Sequence, residues 1–194
     1  PVAHLTTAGV ETLFHEQPAN GIIYLDLAFN LRALDQKHLP FLPLFNRALT
    51  QTGTDKQDFA EFIQRIGRTT GGVGASRLIS AIDGQSEALA YVALRGKATA
   101  DHAQDLLDLM GDVMSRSKLV DKERLRQMIR EAKAGIETRL APAGHQLAGT
   151  RLGAGLSEAG WLGEEMSGIS QLFFLCDLEK RLDEDWDEIS AALI

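Results

Sequence analysis

Apolar and polar positions alternate along Gly21–Asn30, with Ile23, Leu25, Leu27 and Phe29 on one side and Tyr24, Asp26, Ala28 and Asn30 on the other. A period of two is the signature of a half-buried strand. Val10–Glu16 reads as a second strand. Gln17-Pro18-Ala19-Asn20, followed by Gly21, is expected to join the two as a hairpin. From Leu39 to Thr50 the period lengthens: Phe41, Leu42, Phe45, Ala48 and Leu49 fall on one helical face. Pro40 and Pro43 are tolerated near its start, and Gly53 ends it. Asp55 is the expected cap of a second helix striped by Phe59, Phe62, Ile63 and Ile66 and closed by Gly67.

Thr69–Ile82 and Glu87–Lys97 read as a second strand pair around Asp83-Gly84. The later strand is apolar on both faces from Ala88 to Leu94, which places it centrally in a sheet. The remainder reads as helical. One stripe is Ala103, Leu106, Leu107, Met110, Val113 and Met114. Asp121 caps the next helix, with Leu125, Met128, Ile129, Ala132 and Ile136 inward. Shorter helices follow Pro142 and Ser157, and Ser167 is the expected cap of a last one carrying Ile169, Leu172, Phe173, Cys176 and Leu182. Strands followed by helices predict an α+β fold, with a largely antiparallel sheet of about four or more strands and helices on one face. No Pro/Ser-rich linker interrupts residues 1–194, so one domain is expected.

Composition narrows the function. The chain is 44% hydrophobic and 24% charged, enough apolar surface for a core, which excludes the disordered and low-complexity classes. The net charge of -7 argues against a nucleic-acid partner. The longest apolar run, Ala88–Leu94, is far too short to span a membrane. Pro1-Val2-Ala3-His4 is no secretory signal and has no initiator Met, as expected of a segment of a longer protein. Cys176, the only cysteine, lies in an apolar run and reads as a small core residue in a reducing compartment.

The chemistry-bearing residues are scattered. His4, His15, His38, His102 and His145 are at least eleven residues apart, so none forms the helical pair that zinc requires. Ser76 follows Gly71-Gly72-Val73-Gly74, but Arg77 stands where a dinucleotide fingerprint has its third glycine, and no P-loop Lys follows. A glycine-rich strand entry or bulge is the reading that remains. Asp183, Glu184, Asp185, Asp187 and Glu188 beside Trp186 read as a solvated helix end or inter-domain surface. No catalytic or metal-ligating residue is assigned, and the substrate-binding residues are unknown.

Five stretches together resemble a known family. They are Asn20–Leu27, Leu39–Phe45, Arg65–Gly72, Leu94–Ala98 and Ser167–Ser170. Their order and spacing, from about Val10 to Asp187, are similar to the presequence-protease branch of the insulinase-like (pitrilysin) zinc metallopeptidases. The resemblance implies a domain like those of the mitochondrial processing peptidase and LuxS-like metallohydrolases. It implies the third of four such domains, which close as two bowl-shaped halves around an unstructured peptide. In that family an H-x-x-E-H helix of the first domain holds zinc, which activates a water with a glutamate as base. Counting back from Gly53-Thr54, the equivalent stretch here is Leu44-Phe45-Asn46-Arg47-Ala48, without either histidine or the glutamate. The family's last domain supplies an Arg and a Tyr to the substrate, whereas Tyr24 and Tyr91 both lie on expected strands.

The resemblance therefore implies a non-catalytic, peptidase-associated domain. No cofactor is expected in this segment, with zinc in the first domain of the parent chain. The implied partners are the other domains of the same peptidase and the parent's unstructured peptide substrate. The implied compartment is the bacterial cytoplasm, with a mitochondrial matrix or another organelle as the alternative. The acidic balance would favour basic peptides. A stand-alone interaction module with the same fold is the competing reading. A hydrolase built on Cys176 or dispersed histidines is a third.

Overall fold

The computed structural model describes residues 2–194. The chain runs through β1 (Val2–Thr7), β2 (Val10–His15), β3 (Ile22–Asn30), α1 (Leu42–Gln51), α2 (Phe59–Thr69), β4 (Val73–Ala81) and β5 (Ala88–Thr99). It continues through α3 (Ala103–Arg116), α4 (Lys122–Gly153), α5 (Glu158–Ser167), α6 (Ile169–Arg181) and α7 (Trp186–Ala191). The fold is α+β, with helices on one face of an antiparallel sheet.

β5 is the central strand of a three-stranded sheet in the order β3-β5-β4. Ala88, Ala90, Val92, Leu94, Gly96 and Ala98 point inward and are buried. Leu25 and Leu27 of β3 and Val73 and Ala75 of β4 join them. By register Ile23, Leu25, Leu27 and Phe29 share the helix-side face, as the alternation predicts, but only Leu25 and Leu27 are half-buried; Ile23 and Phe29, towards the ends of this edge strand, are exposed. No helix layer covers the other side of β5, however: Leu89, Arg95, Lys97 and Thr99 lie in solvent there, with Tyr91 half-buried and only Ala93 buried, among its neighbours on that face. Its apolar run reflects the small residues a close-packed helix layer needs, not a second layer.

The expected sheet of four or more strands is divided. β2 does not pair with β3; it pairs with β1 (Val2↔His15 to Thr7↔Val10) as a separate two-stranded ribbon. The tight turn is Ala8-Gly9, both at positive φ (51° and 81°), a geometry suited to a two-residue hairpin. Asn20 and Gly21 also have positive φ (49° and 77°), but they turn the chain into β3, with Ile22 N–H donating to the Ala19 carbonyl.

Helix boundaries follow local hydrogen bonding more than the apolar stripe. α2 is capped by Asp58, not Asp55: Asp58 accepts from Glu61 N–H, and Glu61 reaches back to the Asp58 amide. That reciprocal pair satisfies two otherwise orphan donors. Asp55 instead faces Arg116. Gly67 lies inside α2, which ends at Thr69 because Thr70 turns to extended backbone. α6 is preceded by Gly168; Ser167 bonds back to the Gly163 carbonyl and does not cap it. Asp121 and Ser157 cap α4 and α5 as expected. α4 continues through Pro142 with a kink at Ala143. Phe59, Ile63, Leu107, Met114 and Phe173, expected inward, are exposed; Phe59 is in line with Phe62 and Ile66 but opens the first turn of α2, where its ring meets the Arg124 guanidinium, and the others lie off their buried stripes.

The core has three parts. One joins α1 to α4 and α6, a second joins α2 and α3 to the sheet, and a third joins α5 to the far end of β5. Phe45 packs against all three.

Candidate functional site

Three places could carry function: the stretch of α1 aligned with a metal helix, the groove between α1 and β4, and the helix-free face of the sheet.

On α1, Leu44 and Ala48 are fully buried in the first core cluster, and Phe45 joins all three. The Arg47 guanidinium donates to the Met128 carbonyl and to Glu131, anchoring α1 to α4. The Arg47 bond is also what holds the Glu131 carboxyl below its ordinary pKa. Asn46 is buried, with its Oδ1 unpaired. Zinc is bound by imidazole, thiolate or carboxylate. An aliphatic, an aromatic, an amide, a guanidinium and a methyl do not make such a set, so these residues do not fit the metal. Gly53, at φ +76°, follows the helix because a Cβ there would strike the Gln57 carbonyl. Thr54 then closes the loop, its hydroxyl accepting from the Lys56 and Gln57 amides.

The groove between α1 and β4 encloses about 500 Å³ and is lined by Pro43, Asn46, Thr50, Ser76 and Arg77. Arg77 points inward and donates to the Met166 carbonyl at 2.6 Å, at the end of α5. Burial pulls its pKa below the ordinary guanidinium value. Ser76, singled out for its glycine neighbours, has its hydroxyl buried and unpaired and no base within hydrogen-bonding reach.

The bare face of the sheet displays Tyr24 and Asp26 of β3, Tyr91, Arg95 and Lys97 of β5, and Leu78 of β4. Arg95 clamps Asp26 with two donors, at 2.9 and 2.6 Å. Tyr24 is 64% exposed. The three charged side chains here are one carboxylate and two cations, so the chain's acidic excess does not reside on this face. Beside it, Gly71 and Gly72 both face Lys97: the Gly71 amide donates to the Lys97 carbonyl, and the Lys97 amide to Gly72. Two residues opposing one is a β-bulge, one of the two readings the glycine cluster left open. A cavity of about 490 Å³ opens there, bounded by Tyr24, Asp26, Gly72, Arg95 and Lys97.

The remaining candidates do not converge. His4 and His15 lie on the ribbon, His38 in a short 3-10 turn before α1, His102 at the start of α3 bonded to Asp105, and His145 on α4. No cluster of three or more His, Cys, Asp or Glu fit to hold a metal occurs among the described residues. Cys176 is half-buried on α6, packed against the first core cluster. Asp183 is held by Arg126 (2.6 Å) and Lys122 (3.1 Å), in an ordinary surface ion network. Tyr24 and Tyr91 are on β3 and β5, as expected.

The familiar sequence stretches have structural explanations. Gly96 admits α3 to the sheet, since a Cβ would press on Leu106 Cδ1 at 2.6 Å. Arg65 ties α2 to Asp112 of α3 at 2.6 Å. The Pro40 carbonyl accepts from Gln171, and Phe41 meets Phe174 edge-on at 4.8 Å. Glu164, which the sequence pattern does not reveal, lies almost wholly buried beneath Gly168 and accepts from the Ser170 amide. Two residues from both Leu162 and Met166, it stands on the other side of α5, so no apolar stripe signals it.

Comparison with known proteins places these features in one family. The family model for the peptidase-associated region of the M16 peptidases, subfamily C, matches residues 2–178. "Presequence protease 1, chloroplastic/mitochondrial" of Arabidopsis thaliana is 39% identical over 185 residues, covering 95% of this chain and 17% of that protein. "Presequence protease, mitochondrial" of Danio rerio is 28% identical over 190 residues, covering 96% of this chain and 18% of that protein. "Protein HypA" of Clostridium perfringens is 26% identical over 173 residues, covering 89% and 18%. The chain thus spans less than a fifth of the length of these curated relatives. It belongs to the peptidase-associated family of M16 subfamily C.

Proposed function

We propose that this peptidase-associated chain is a non-catalytic wall domain of a presequence-protease-like metalloendopeptidase. The observation that carries the reading is Phe45. In the stretch that would hold the metal, it joins all three core clusters, and its neighbours Leu44 and Ala48 are buried. The helix serves the core, and the metal chemistry belongs to another part of the longer polypeptide.

The helix-free face of the sheet is the surface we assign to the interior of the peptide chamber. An aromatic tip at Tyr24, the aliphatic Leu78 and the cation of Lys97 offer an unstructured peptide contacts that do not depend on its sequence. Closure around such a peptide would exclude water and folded proteins. For compartment, the free thiol of Cys176 favours a reducing one. Relatives named for mitochondria and chloroplasts set an organelle beside the bacterial cytoplasm. Among the described residues no helix is long and apolar enough to cross a membrane.

Site-specific photo-crosslinking of the full-length protein tests this assignment. A photoreactive residue at position 24 is expected to capture a long unstructured peptide, whereas one at Leu107, exposed on α3, is not. Equal capture at both positions would remove the assignment of the face.

A further inference from the structure

We infer that the β1–β2 ribbon is a docking arm whose apolar face packs on another domain of the same polypeptide. This rests on the reading above that the chain is one domain of a longer peptidase. In an antiparallel ladder, directly opposed residues share a face. The register therefore puts Ala3, Leu5, Thr7, Val10, Thr12 and Phe14 together, and Val2, His4, Thr6, Glu11, Leu13 and His15 on the reverse. The first face has no charge. The second carries the His4–Glu11 contact at 3.6 Å and His15 beside exposed Val2 and Leu13, so it is the more polar of the two sides. Yet Leu5, Val10 and Phe14 are 49%, 65% and 53% exposed, and no other strand or helix among the described residues covers them.

An isolated two-stranded ribbon is marginal in water, and an apolar face of this kind calls for a covering layer. The family match begins at residue 2, so the ribbon is part of the family domain and not an appendage. The size of the face selects the occupant. Six side chains are far fewer than the roughly 20–30 residues a side of a stable association between separate proteins. A tethered partner needs no such area, because linkage supplies a high effective concentration. The aligned stretch is 17% of the length of the Arabidopsis relative, so most of that polypeptide lies outside it. The occupant is accordingly an apolar surface of a neighbouring domain, and the link spans Glu16–Gly21.

Hydrogen exchange on the full-length protein tests the inference. Amides of residues 2–15 are expected to exchange roughly 100-fold or more slowly than unstructured peptide. Leu5→Asp with Phe14→Asp should abolish that protection while leaving β5 protected, and Leu13→Asp on the reverse face should retain it. Unprotected amides in the parent protein, or protection indifferent to the Leu5/Phe14 pair, would overturn docking. Protection that rises with protein concentration would also overturn it, in favour of a second copy. Peptide cleavage on the same sample separates the two readings: absence of cleavage with a protected ribbon removes the peptidase and keeps the docking arm.

Discussion

Glu164 lies directly beneath Gly168, its Oε1 accepting the Ser170 amide at 3.0 Å while the backbone of Gly168 passes over the carboxylate. The carboxyl is only 1% exposed, and Arg151 approaches it at 3.3 Å. The break between α5 and α6 is thus built around one buried side chain. A Cβ at residue 168 would overlap the Glu164 carboxylate. Gly168→Ala is expected to destabilise the chain by about 1–3 kcal/mol, the usual cost of overpacking. Urea denaturation checks this; an unchanged midpoint would mean that the carboxylate can move aside freely.

Gly96 makes the same argument between layers. A side chain there meets Leu106 and Met110 of α3 and Val73 of β4 at once. Gly96→Val should cost about 3 kcal/mol and increase near-ultraviolet disorder before helix content falls. Thermal melts followed by both signals would show it.

The capping box of α2 predicts a contrast between two aspartates. Asp58→Ala should cost about 1 kcal/mol, the typical loss of an N-cap. Asp55→Ala removes only the exposed pair with Arg116 at 3.4 Å and should cost less than about 0.5 kcal/mol. Paired denaturation curves decide it, and equal effects would contradict the cap assignment.

Acid stability follows Asp183. Hydrogen bonds from Arg126, and then from Lys122, pull its pKa from 3.8 to about 2. A folded pKa below the unfolded one stabilises above the unfolded pKa, and that contribution disappears as pH falls through the folded pKa. Wild-type stability should therefore fall between about pH 4 and pH 2. Asp183→Asn should flatten that part of the profile, and salt should weaken the difference because the pair is exposed. Melting temperature against pH at low ionic strength measures it. Parallel profiles for both proteins would count against the pairing.

The sequence revealed those parts of the fold that rest on local periodicity or close packing. The alternation of Ile23, Leu25, Leu27 and Phe29 reported which residues of β3 share a face, though not that Ile23 and Phe29 stay exposed, and the glycine cluster at residues 71–74 left a strand entry and a bulge as alternatives. The caps Asp121 and Ser157 were legible because their side chains bond within one turn. What was hidden depends on competing local bonds or on distant partners. Asp55 and Asp58 look alike until Glu61 closes its reciprocal bond with Asp58. The pairing of β2 turned on the Ala8-Gly9 turn, a weaker textual signal than Asn20-Gly21 with a proline before it. The candidate site was legible mainly as a departure: Leu44-Phe45-Asn46-Arg47-Ala48 lacks metal-binding side chains. That Phe45 joins three core clusters, and that Glu164 sits under Gly168, needed the tertiary structure.

The measurement that bears most directly on the central claim is cleavage of a long unstructured basic peptide by the purified 194-residue chain, with added zinc and with chelator. No cleavage is expected in either condition, because the residues of α1 serve the core. Zinc-dependent cleavage, abolished by chelator, would contradict the wall-domain reading.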